Sequence, residues 1–332
     1  MLDTPLVGAR QEPVMRAVIQ ERYGTPDLVE LGELPEPVPA DGEVLIKVRA
    51  ASLNGSDREN LAGSPFYARL GGLRRPRKPV PGSDVAGVVA AVGAAVTEFA
   101  PGDEVFGELA GYRGGLAEYV ATPPNLLARK PPGLSFVDAA ALPQAGCIAL
   151  RATKGVKDGD AVLVNGAGGA GGALVVGLAK HFGAEVTAVD RADKADYLRQ
   201  IGADEAIDFE AEDWAERRGR YDRIIDLIAH RSPYRVQRAL RPGGAYLMVG
   251  GRTRILLATL IAGPTAGWRA GKRVRVLAVP QSRAHLEEVT ALVLDGAAAP
   301  VVDRVYPLAE APAAFARIAA GDNRGKVVVE VP

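Results

Sequence analysis

The chain is poor in the residue types that most often build disulfides and metal sites. Its single cysteine, Cys147, excludes an internal disulfide and a zinc site made from several cysteines. The three histidines, His181, His230 and His285, lie far apart in the sequence. Neither residue type therefore supplies a recognisable metal-binding motif.

An excess of charge of one sign is also missing. The 40 Lys and Arg residues balance the 40 Asp and Glu residues, so nucleic-acid binding is not expected. One short segment is basic, residues 73–78 with the sequence LRRPRK. We interpret it as a solvated loop, with contact to an anion or a substrate as the alternative.

Long apolar runs are absent as well. The nearest candidate, residues 255–262, is well short of the about 20 residues that cross a bilayer. Asp3, Pro5 and Arg10 interrupt any apolar core of a secretory signal. These absences predict a cytoplasmic protein that neither spans nor binds a membrane.

A glycine cluster at the end of an apolar run is the strongest positive signal. Gly166, Gly168 and Gly171 have the spacing G-x-G-x-x-G, with Gly169 and Ala170 in the same turn. In this motif the first glycine permits a tight turn and the second lets the backbone approach a pyrophosphate. The third allows helix and strand to pack closely. The phosphates then meet free N–H groups at a helix N-terminus.

The surroundings of the cluster support a dinucleotide site. Residues 162–164 predict a buried strand before it, and residues 173–182 predict a helix after it. A second apolar run ends in Asp190, which lies 19 residues beyond Gly171. An acid about 20 residues from the glycines commonly binds the adenosine ribose. No Lys-Ser or Lys-Thr pair follows the glycines, which excludes a nucleoside-triphosphate loop.

The 332 residues predict two domains of an α/β protein. Residues 1–14 form a tail, and short strands separated by Pro and Gly follow to about residue 120. Residues 139–153 predict a helix. Strands then alternate with helices, which is typical of a doubly wound parallel sheet. The predicted strands of the two regions are 16–20, 43–50, 85–92 and 104–107, then 161–165, 185–190, 205–208, 223–227, 244–249 and 274–279. A helix at 311–320 and a strand at 326–331 return to the first domain.

Five segments carry a family resemblance when taken in order. They are residues 81–89 (PGSDVAGVV), 101–107 (PGDEVFG), 114–120 (GGLAEYV), 201–209 (IGADEAIDF) and 324–328 (RGKVV). Over residues 15–331 the chain resembles the zinc-free, quinone-oxidoreductase-like branch of the medium-chain dehydrogenases/reductases. The resemblance implies a GroES-like β-barrel catalytic domain (15–140), a Rossmann domain (141–284) and a return to the catalytic domain (285–332). It also implies hydride transfer from a nicotinamide cofactor to a carbonyl, quinone or activated C=C bond.

The resemblance also bears on metals and on the catalytic loop. Zinc-dependent relatives have Cys at the position of Asn54 and Gly-His-Glu where this chain has Gly82-Ser83-Asp84. We therefore expect no metal, and hydrogen bonds must polarise the substrate oxygen. In relatives the loop holding Asn54, Ser56 and Asp57 faces the nicotinamide. Asn54 is the candidate for orienting substrate and cofactor. The alternative is that Asn54 only holds the loop in place.

Tyr67 is a second catalytic candidate, as a hydrogen-bond donor or proton source. The alternative is that its ring only packs against neighbouring residues.

The choice between NADH and NADPH is left open by the sequence. Asp190 favours NAD(H) because its carboxylate repels a 2′-phosphate. Arg191 and Lys194 favour NADP(H), since Lys194 matches a position that meets the 2′-phosphate in relatives. Phe209 matches a position where relatives place an aromatic ring over the adenine.

Further cofactor contacts follow from the resemblance. Ile228 after the fourth strand, and Val249 and Gly250 after the fifth, line the nicotinamide side in relatives, and Lys326 closes over the same region.

Two departures from the pattern are present. Ile148 stands where relatives have a threonine whose hydroxyl contacts the nicotinamide ribose, and Asn165 and Gly172 stand where small apolar residues are commoner, a change that looks tolerable.

These observations predict a zinc-independent NAD(P)H oxidoreductase that reduces a quinone, enone or aldehyde. The alternative is a nucleotide-binding sensor or structural protein on the same fold, which Ile148 favours. Residues 60–79 and 255–272 are expected to be irregular, pocket-lining loops. Dimers are common among relatives, so a homodimer is left open.

Overall fold

The computed structural model describes residues 13–268 and 271–332. The predicted tail therefore lies outside the described residues as far as residue 12. The strands of the described part are β1 (Val14–Gln20), β2 (Val29–Pro35), β3 (Val44–Leu53), β4 (Asp84–Val92), β5 (Glu104–Glu108), β6 (Tyr119–Thr122), β7 (Leu127–Arg129), β8 (Ala161–Asn165), β9 (Glu185–Asp190), β10 (Glu205–Asp208), β11 (Tyr221–Asp226), β12 (Leu240–Met248), β13 (Arg273–Val276), β14 (Val302–Pro307) and β15 (Lys326–Glu330). The α-helices are α1 (Gly55–Ala62), α2 (Phe136–Ala140), α3 (Pro143–Thr153), α4 (Ala170–His181), α5 (Ala195–Gln200), α6 (Pro233–Val236), α7 (Thr253–Trp268), α8 (Arg283–Leu294) and α9 (Ala311–Ala320).

Strands β8 to β13 form a parallel sheet in the order β10-β9-β8-β11-β12-β13. The chain enters at the centre, builds one half outward and then crosses back to build the other half. This is the doubly wound order, and it confirms the predicted fold class. Strand β8 is buried at every position, as expected of a parallel strand with both faces covered.

The second sheet is mixed and has the order β14-β15-β3-β4-β5-β7, with β6 also paired to β3. Strand β15 runs antiparallel to β3, with Val327 opposite Leu53. The end of the chain therefore lies beside the loop that follows β3. The domain boundaries at residues 140 and 284 stay predictions.

Two predicted elements were wrong. The single helix expected at 139–153 is two helices, α2 and α3, because Pro143 lacks an N–H and starts a new helix. The irregular segment expected at 255–272 is mostly helix α7. Gly263 lies inside this helix, and a Cβ at this position would lie 2.6 Å from the Val274 carbonyl oxygen, so glycine is required for close packing on β13.

Among the described residues, none of the helices is both long and apolar enough to cross a membrane.

Candidate active site

The turn between β8 and α4 has the conformation expected of a dinucleotide-binding loop. Gly166 has a φ of +84°, which a residue with a side chain rarely adopts. The amides of Gly166 and Ala167 both donate to the carbonyl oxygen of Val189, at 3.0 and 3.2 Å. The turn is thus fixed to the end of β9, and the N-terminus of α4 follows it.

The position of closest packing differs from the prediction. The motif assigned this role to Gly171, but a Cβ there would meet only the Leu227 side chain at 3.1 Å. A Cβ at Gly172 would lie 2.3 Å from the Gly166 carbonyl oxygen and 2.6 Å from the Ala167 Cα. Backbone atoms cannot yield as a side chain can, so Gly172 is the glycine that lets helix and turn meet.

Asp190 and Lys194 come together over the glycine turn. Asp190 Oδ2 accepts the Gly168 amide at 2.8 Å, and Oδ1 accepts the Arg191 amide at 3.0 Å. Lys194 Nζ lies 3.3 Å from Asp190 Oδ1, and its side chain is buried. A Cβ at Gly168 would lie 2.7 Å from both of these side chains, so this glycine is needed for their approach. The turn, the helix N-terminus and these charged groups fit the pyrophosphate and adenosine ends of a dinucleotide.

Two other predicted cofactor residues lie near Asp190. The Phe209 amide donates to the Asp190 carbonyl oxygen at 3.2 Å, which places Phe209 beside the end of β9. Arg191 extends to the surface, where its guanidinium pairs with Asp193 and Asp322 and the pKa of Arg191 is raised. These pairs occupy donors that a phosphate would otherwise use.

The predicted nicotinamide side also assembles at the carboxyl edge of the parallel sheet. Ile228 is about half exposed, and a Cβ on Gly166 would lie 3.4 Å from it. Val249 follows β12, and the Gly250 carbonyl oxygen accepts the Ala229 amide at 2.9 Å. Open α/β sheets bind ligands at this edge.

Beneath the carboxyl edge of the parallel sheet lies a buried carboxyl group that the sequence analysis did not identify. Asp226 is fully buried at the end of β11. It accepts hydrogen bonds from Asn165 Nδ2 at 2.7 Å and from the Tyr246 hydroxyl at 2.8 Å. Burial raises the pKa of Asp226. Asn165 looked like a harmless departure from the usual small apolar residue, but it ties β8 to β11 beneath the turn.

Lys326, Asn54 and Asp84 form a buried cluster in the other domain. Lys326 is 1% exposed, and its Nζ lies 2.6 Å from Asn54 Oδ1 and 3.1 Å from Asp84 Oδ2. Asn54 Nδ2 donates to Ser83 Oγ and to Asp84 Oδ2, both at 2.9 Å. All the hydrogen-bonding groups of the Asn54 side chain are therefore taken by protein partners.

Asp57 completes the cluster on the far side of Ser83. Its Oδ2 accepts the Asn54 amide at 2.7 Å and the Ser83 hydroxyl at 2.9 Å, whereas its Oδ1 is buried without a partner among the described residues. Burial, reinforced by the negative charge of Asp84, raises the pKa of Asp57 to about 7.

The cluster occupies the positions that hold zinc ligands in the zinc-dependent relatives. Asn54, Ser83 and Asp84 do converge, but the cation among them is the Lys326 ammonium. The structure places the ammonium of Lys326 in the cluster, and the predicted contact of this residue with the cofactor stays a prediction. Within the described residues, no group of three or more His, Cys, Asp or Glu side chains is arranged to hold a metal ion.

Glu108 links this cluster to the parallel sheet and was also missed. It ends β5 and is half-buried. Gln144, in the first turn of α3, donates from Nε2 to Glu108 Oε1 at 2.5 Å and accepts from Ser56 Oγ at 3.0 Å. Gln281, just beyond β13, donates to the Leu109 carbonyl oxygen at 3.0 Å. Burial, followed by the charge of Asp84, raises the pKa of Glu108 to about 7.

Tyr67 lies apart from this assembly. Its hydroxyl donates to Oε2 of Glu59, a residue of α1, at 2.9 Å. Burial and the nearby Glu59 raise the pKa of Tyr67. No hydrogen bond joins Tyr67 to the Asn54 cluster among the described residues, so its proposed role as a proton source finds no support in these contacts.

One backbone contact joins the two halves of the site. The Gly325 amide donates to the Gly168 carbonyl oxygen at 2.9 Å. Gly325 directly precedes Lys326, so the glycine turn and the buried cluster are linked through adjacent residues. The carboxyl edge of the parallel sheet is thereby held against the cluster.

Comparisons with known proteins agree with this geometry. Residues 40–132 match the family model of the alcohol dehydrogenase GroES-like domain, and residues 201–329 match that of the zinc-binding dehydrogenases. A 2-methylene-furan-3-one reductase of Solanum lycopersicum is 33% identical, over 95% of this chain and 79% of the relative. An NADPH-dependent alkenal/one oxidoreductase of Arabidopsis thaliana is also 33% identical, with the same two coverages. A solved structure of the quinone oxidoreductase from Coxiella burnetii superposes with a TM-score of 0.86 at 28% identity, covering 96% of this chain and all of that one.

Proposed function

The chain belongs to the quinone-oxidoreductase-like branch of the medium-chain dehydrogenase/reductase family and is an NAD(P)H-dependent oxidoreductase, and we propose that it reduces an enone. Quinones and aldehydes are further acceptors in this proposal. Relatives named for furanone and alkenal/one reduction support the enone. The observation that carries the proposal is the contact between Gly325 and Gly168, which holds a dinucleotide-binding edge against a polar cluster.

The residues proposed to hold the cofactor lie along the carboxyl edge of the parallel sheet. Gly166, Gly168, Gly169, Ala170 and Gly171 present the turn and the N-terminus of α4 to the pyrophosphate, and Gly172 keeps that turn close to its helix. The nicotinamide ring would lie beside Ile228, Val249 and Gly250. When bound, the cofactor supplies the hydride.

We propose NADPH as the preferred form. Both oxygens of Asp190 accept backbone amides, so this carboxylate orders the turn. The Lys194 ammonium touches only Asp190 Oδ1 among the described residues and keeps donors for a 2′-phosphate.

Asn54 is proposed as a positioning residue, because its side chain is fully used by protein partners. It fixes the loop that begins α1 and joins Lys326 to Ser83. Its effect on the substrate is therefore exerted through the loop.

Glu108 is the proposed proton source. Reduction of an enone adds a hydride at the β-carbon and a proton at the α-carbon. Glu108 lies where β5, α3 and the segment after β13 meet, and with its pKa of about 7 it holds a proton near neutral pH. General acids are most effective when their pKa lies near the working pH.

Turnover with a panel of acceptors tests the proposal. Purified protein is mixed with NADPH or NADH and with enones, quinones or aldehydes, and nicotinamide oxidation is followed by absorbance. We expect oxidation with enones and NADPH. Binding of NADPH without oxidation across the panel would favour the alternative of a nucleotide sensor, which the names of the relatives do not favour.

The cytoplasmic location and the homodimer are carried forward as proposals. Cell fractionation tests the first. Analytical ultracentrifugation of the purified chain tests the second.

A further inference from the structure

One stretch of the surface combines basic and apolar side chains without any acid. Residues 60–83 contain no Asp or Glu but include Arg69, Arg74, Arg75, Arg77 and Lys78. This stretch contains the basic segment noted in the sequence, for which the proposed reaction has no use. Residues 66–78 are called the basic–apolar loop below.

The apolar side chains of this loop project into solvent. Phe66 is 68% exposed, Leu70 is 73% exposed and Leu73 is 65% exposed. Single exposed apolar residues are common on protein surfaces, but three within eight positions form a patch. Such patches on the surface of a protein usually mark a binding site.

The loop is held in this shape by a hydrogen bond within it and by contacts to Tyr23 and Gly63. The Tyr23 hydroxyl donates to the Gly72 carbonyl oxygen at 2.5 Å, and the Arg77 amide donates to the Gly71 carbonyl oxygen at 2.9 Å. Arg69 donates from Nε to the Gly63 carbonyl oxygen at 2.8 Å and stacks over the Tyr23 ring. The exposure of the apolar side chains is therefore a property of an ordered loop.

The positive charge of the loop is not neutralised. Arg74, Arg75 and Arg77 are exposed and form no ion pair among the described residues. Some exposed arginines elsewhere in the described part of the chain pair with acids, as Arg16 does with Glu118 at 2.8 Å, and others do not. The arginines of the loop differ in that three unpaired ones lie within four positions, in a stretch without acids. The partner of the loop must therefore bring negative charge.

We propose that the basic–apolar loop docks the protein on an anionic lipid surface, which replaces the expectation from the sequence that the protein binds no membrane. The three arginines would meet lipid phosphates and carboxylates, while Phe66, Leu70 and Leu73 would enter the boundary between headgroups and acyl chains. A nucleic acid would pair with the arginines but leave the apolar side chains in water. Side chains that are two-thirds exposed suit insertion into a soft layer better than the tight pockets that anchor protein partners. The proposal does not depend on the identity of the substrate.

Sedimentation of the full chain with lipid vesicles tests the docking. Vesicles of phosphatidylcholine alone are compared with vesicles that also contain phosphatidylserine, at low and high salt. We expect binding to the anionic vesicles only, weakened by salt. A basic residue near an anionic surface strengthens binding about fivefold, so Arg74→Ser, Arg75→Ser and Arg77→Ser together should weaken it on the order of a hundredfold.

Two further variants separate the two kinds of contact. Phe66→Ser, Leu70→Ser and Leu73→Ser together should abolish the binding that survives high salt. A control with the same change of net charge, Arg218→Ser, Arg238→Ser and Arg254→Ser, removes exposed arginines elsewhere and should keep full binding. Circular dichroism and NADPH binding report whether each variant is folded.

Several results would overturn the proposal. These are equal binding to neutral and anionic vesicles, no binding to either, or an equal loss in the control variant. Binding to polyglutamate without binding to vesicles would point to an acidic protein instead. A loop variant that changes only the KM for the acceptor would place the loop at the substrate entrance.

Discussion

The Lys326 ammonium lies 2.6 Å from the side-chain oxygen of Asn54, although 272 positions separate them in the sequence. The contact follows from the pairing of β15 with β3, which sets Val327 opposite Leu53. A protein cation thus sits among residues whose counterparts bind zinc in other members of the family. The loop that begins α1 is held by this charge, with Asp84 as the counter-ion of Lys326.

Loss of this cation should destabilise the protein strongly. Lys326→Met leaves the buried Asp84 without its charge partner, and breaking a buried ion pair in this way costs about 3–5 kcal/mol. Thermal unfolding measures the effect. Lys326→Met combined with Asp84→Asn removes both charges and should recover part of the lost stability. A double variant no more stable than Lys326→Met would show that the pairing is not what matters.

Glu108→Gln should lower enone reduction and change its pH dependence. Glutamine keeps a hydrogen bond to Gln144 but carries no transferable proton, so kcat should fall about a hundredfold or more. In the unaltered protein the pKa is raised, so the acid is present below about pH 7 and is lost as pH rises through that value. The kcat–pH profile should lose this step in the variant.

Two controls belong to the Glu108 experiment. NADPH affinity, measured by fluorescence titration, should be unchanged in Glu108→Gln. Tyr67→Phe removes the other candidate proton source and should leave the pH step in place. A normal profile in Glu108→Gln together with loss of the step in Tyr67→Phe would reverse the assignment.

Lys194→Ala should discriminate between the two cofactors. A charge-assisted hydrogen bond contributes about 1.5–3 kcal/mol, so the Kd for NADPH should rise about tenfold to a hundredfold. The Kd for NADH should change little, because NADH lacks the 2′-phosphate. Equal effects on the two affinities would show that Lys194 only pairs with the carboxylate of Asp190 and does not contact the 2′-phosphate.

Gly172→Ala and Gly171→Ala form a matched pair. The first places a methyl group 2.3 Å from a backbone oxygen, whereas the second meets only a flexible leucine end at 3.1 Å. Overpacking of this kind costs about 1–3 kcal/mol, so Gly172→Ala should lower Tm and weaken NADPH binding. Gly171→Ala should be close to neutral. A larger loss of stability in Gly171→Ala than in Gly172→Ala would instead assign the close-packing role to Gly171, as the motif predicts.

The parallel sheet could be predicted well because its strands carry local signals. Strands β8, β9 and β10 begin and end at the predicted residues. The first two are mainly apolar runs beside turn residues, and β10 has Ala206 and Ile207 between two acids. The glycine cluster was more ambiguous. Five of the seven residues from 166 to 172 are glycine, and only Gly166, Gly168 and Gly171 have the spacing of the motif. The motif therefore points to Gly171 for close packing, whereas the contacts single out Gly172.

The buried cluster could be predicted only in part. The resemblance placed Asn54, Ser83 and Asp84 together, but Lys326 joins them through strand register that no local pattern encodes. Glu108 gave no signal, because it ends an ordinary strand and acquires its environment from Gln144 and Gln281. Helix α7 was missed because its apolar residues lie on several faces, so that no helical period stands out in the sequence.

Transfer of a label from the cofactor to the product tests the central claim most directly. The purified chain is incubated with an enone and NADPH that carries deuterium at the transferable position of the nicotinamide, in ordinary water containing a metal chelator. The account predicts turnover, with the deuterium at the β-carbon of the reduced product and a solvent-derived hydrogen at the α-carbon. Product without the label, or turnover that stops when the chelator is added, would contradict it.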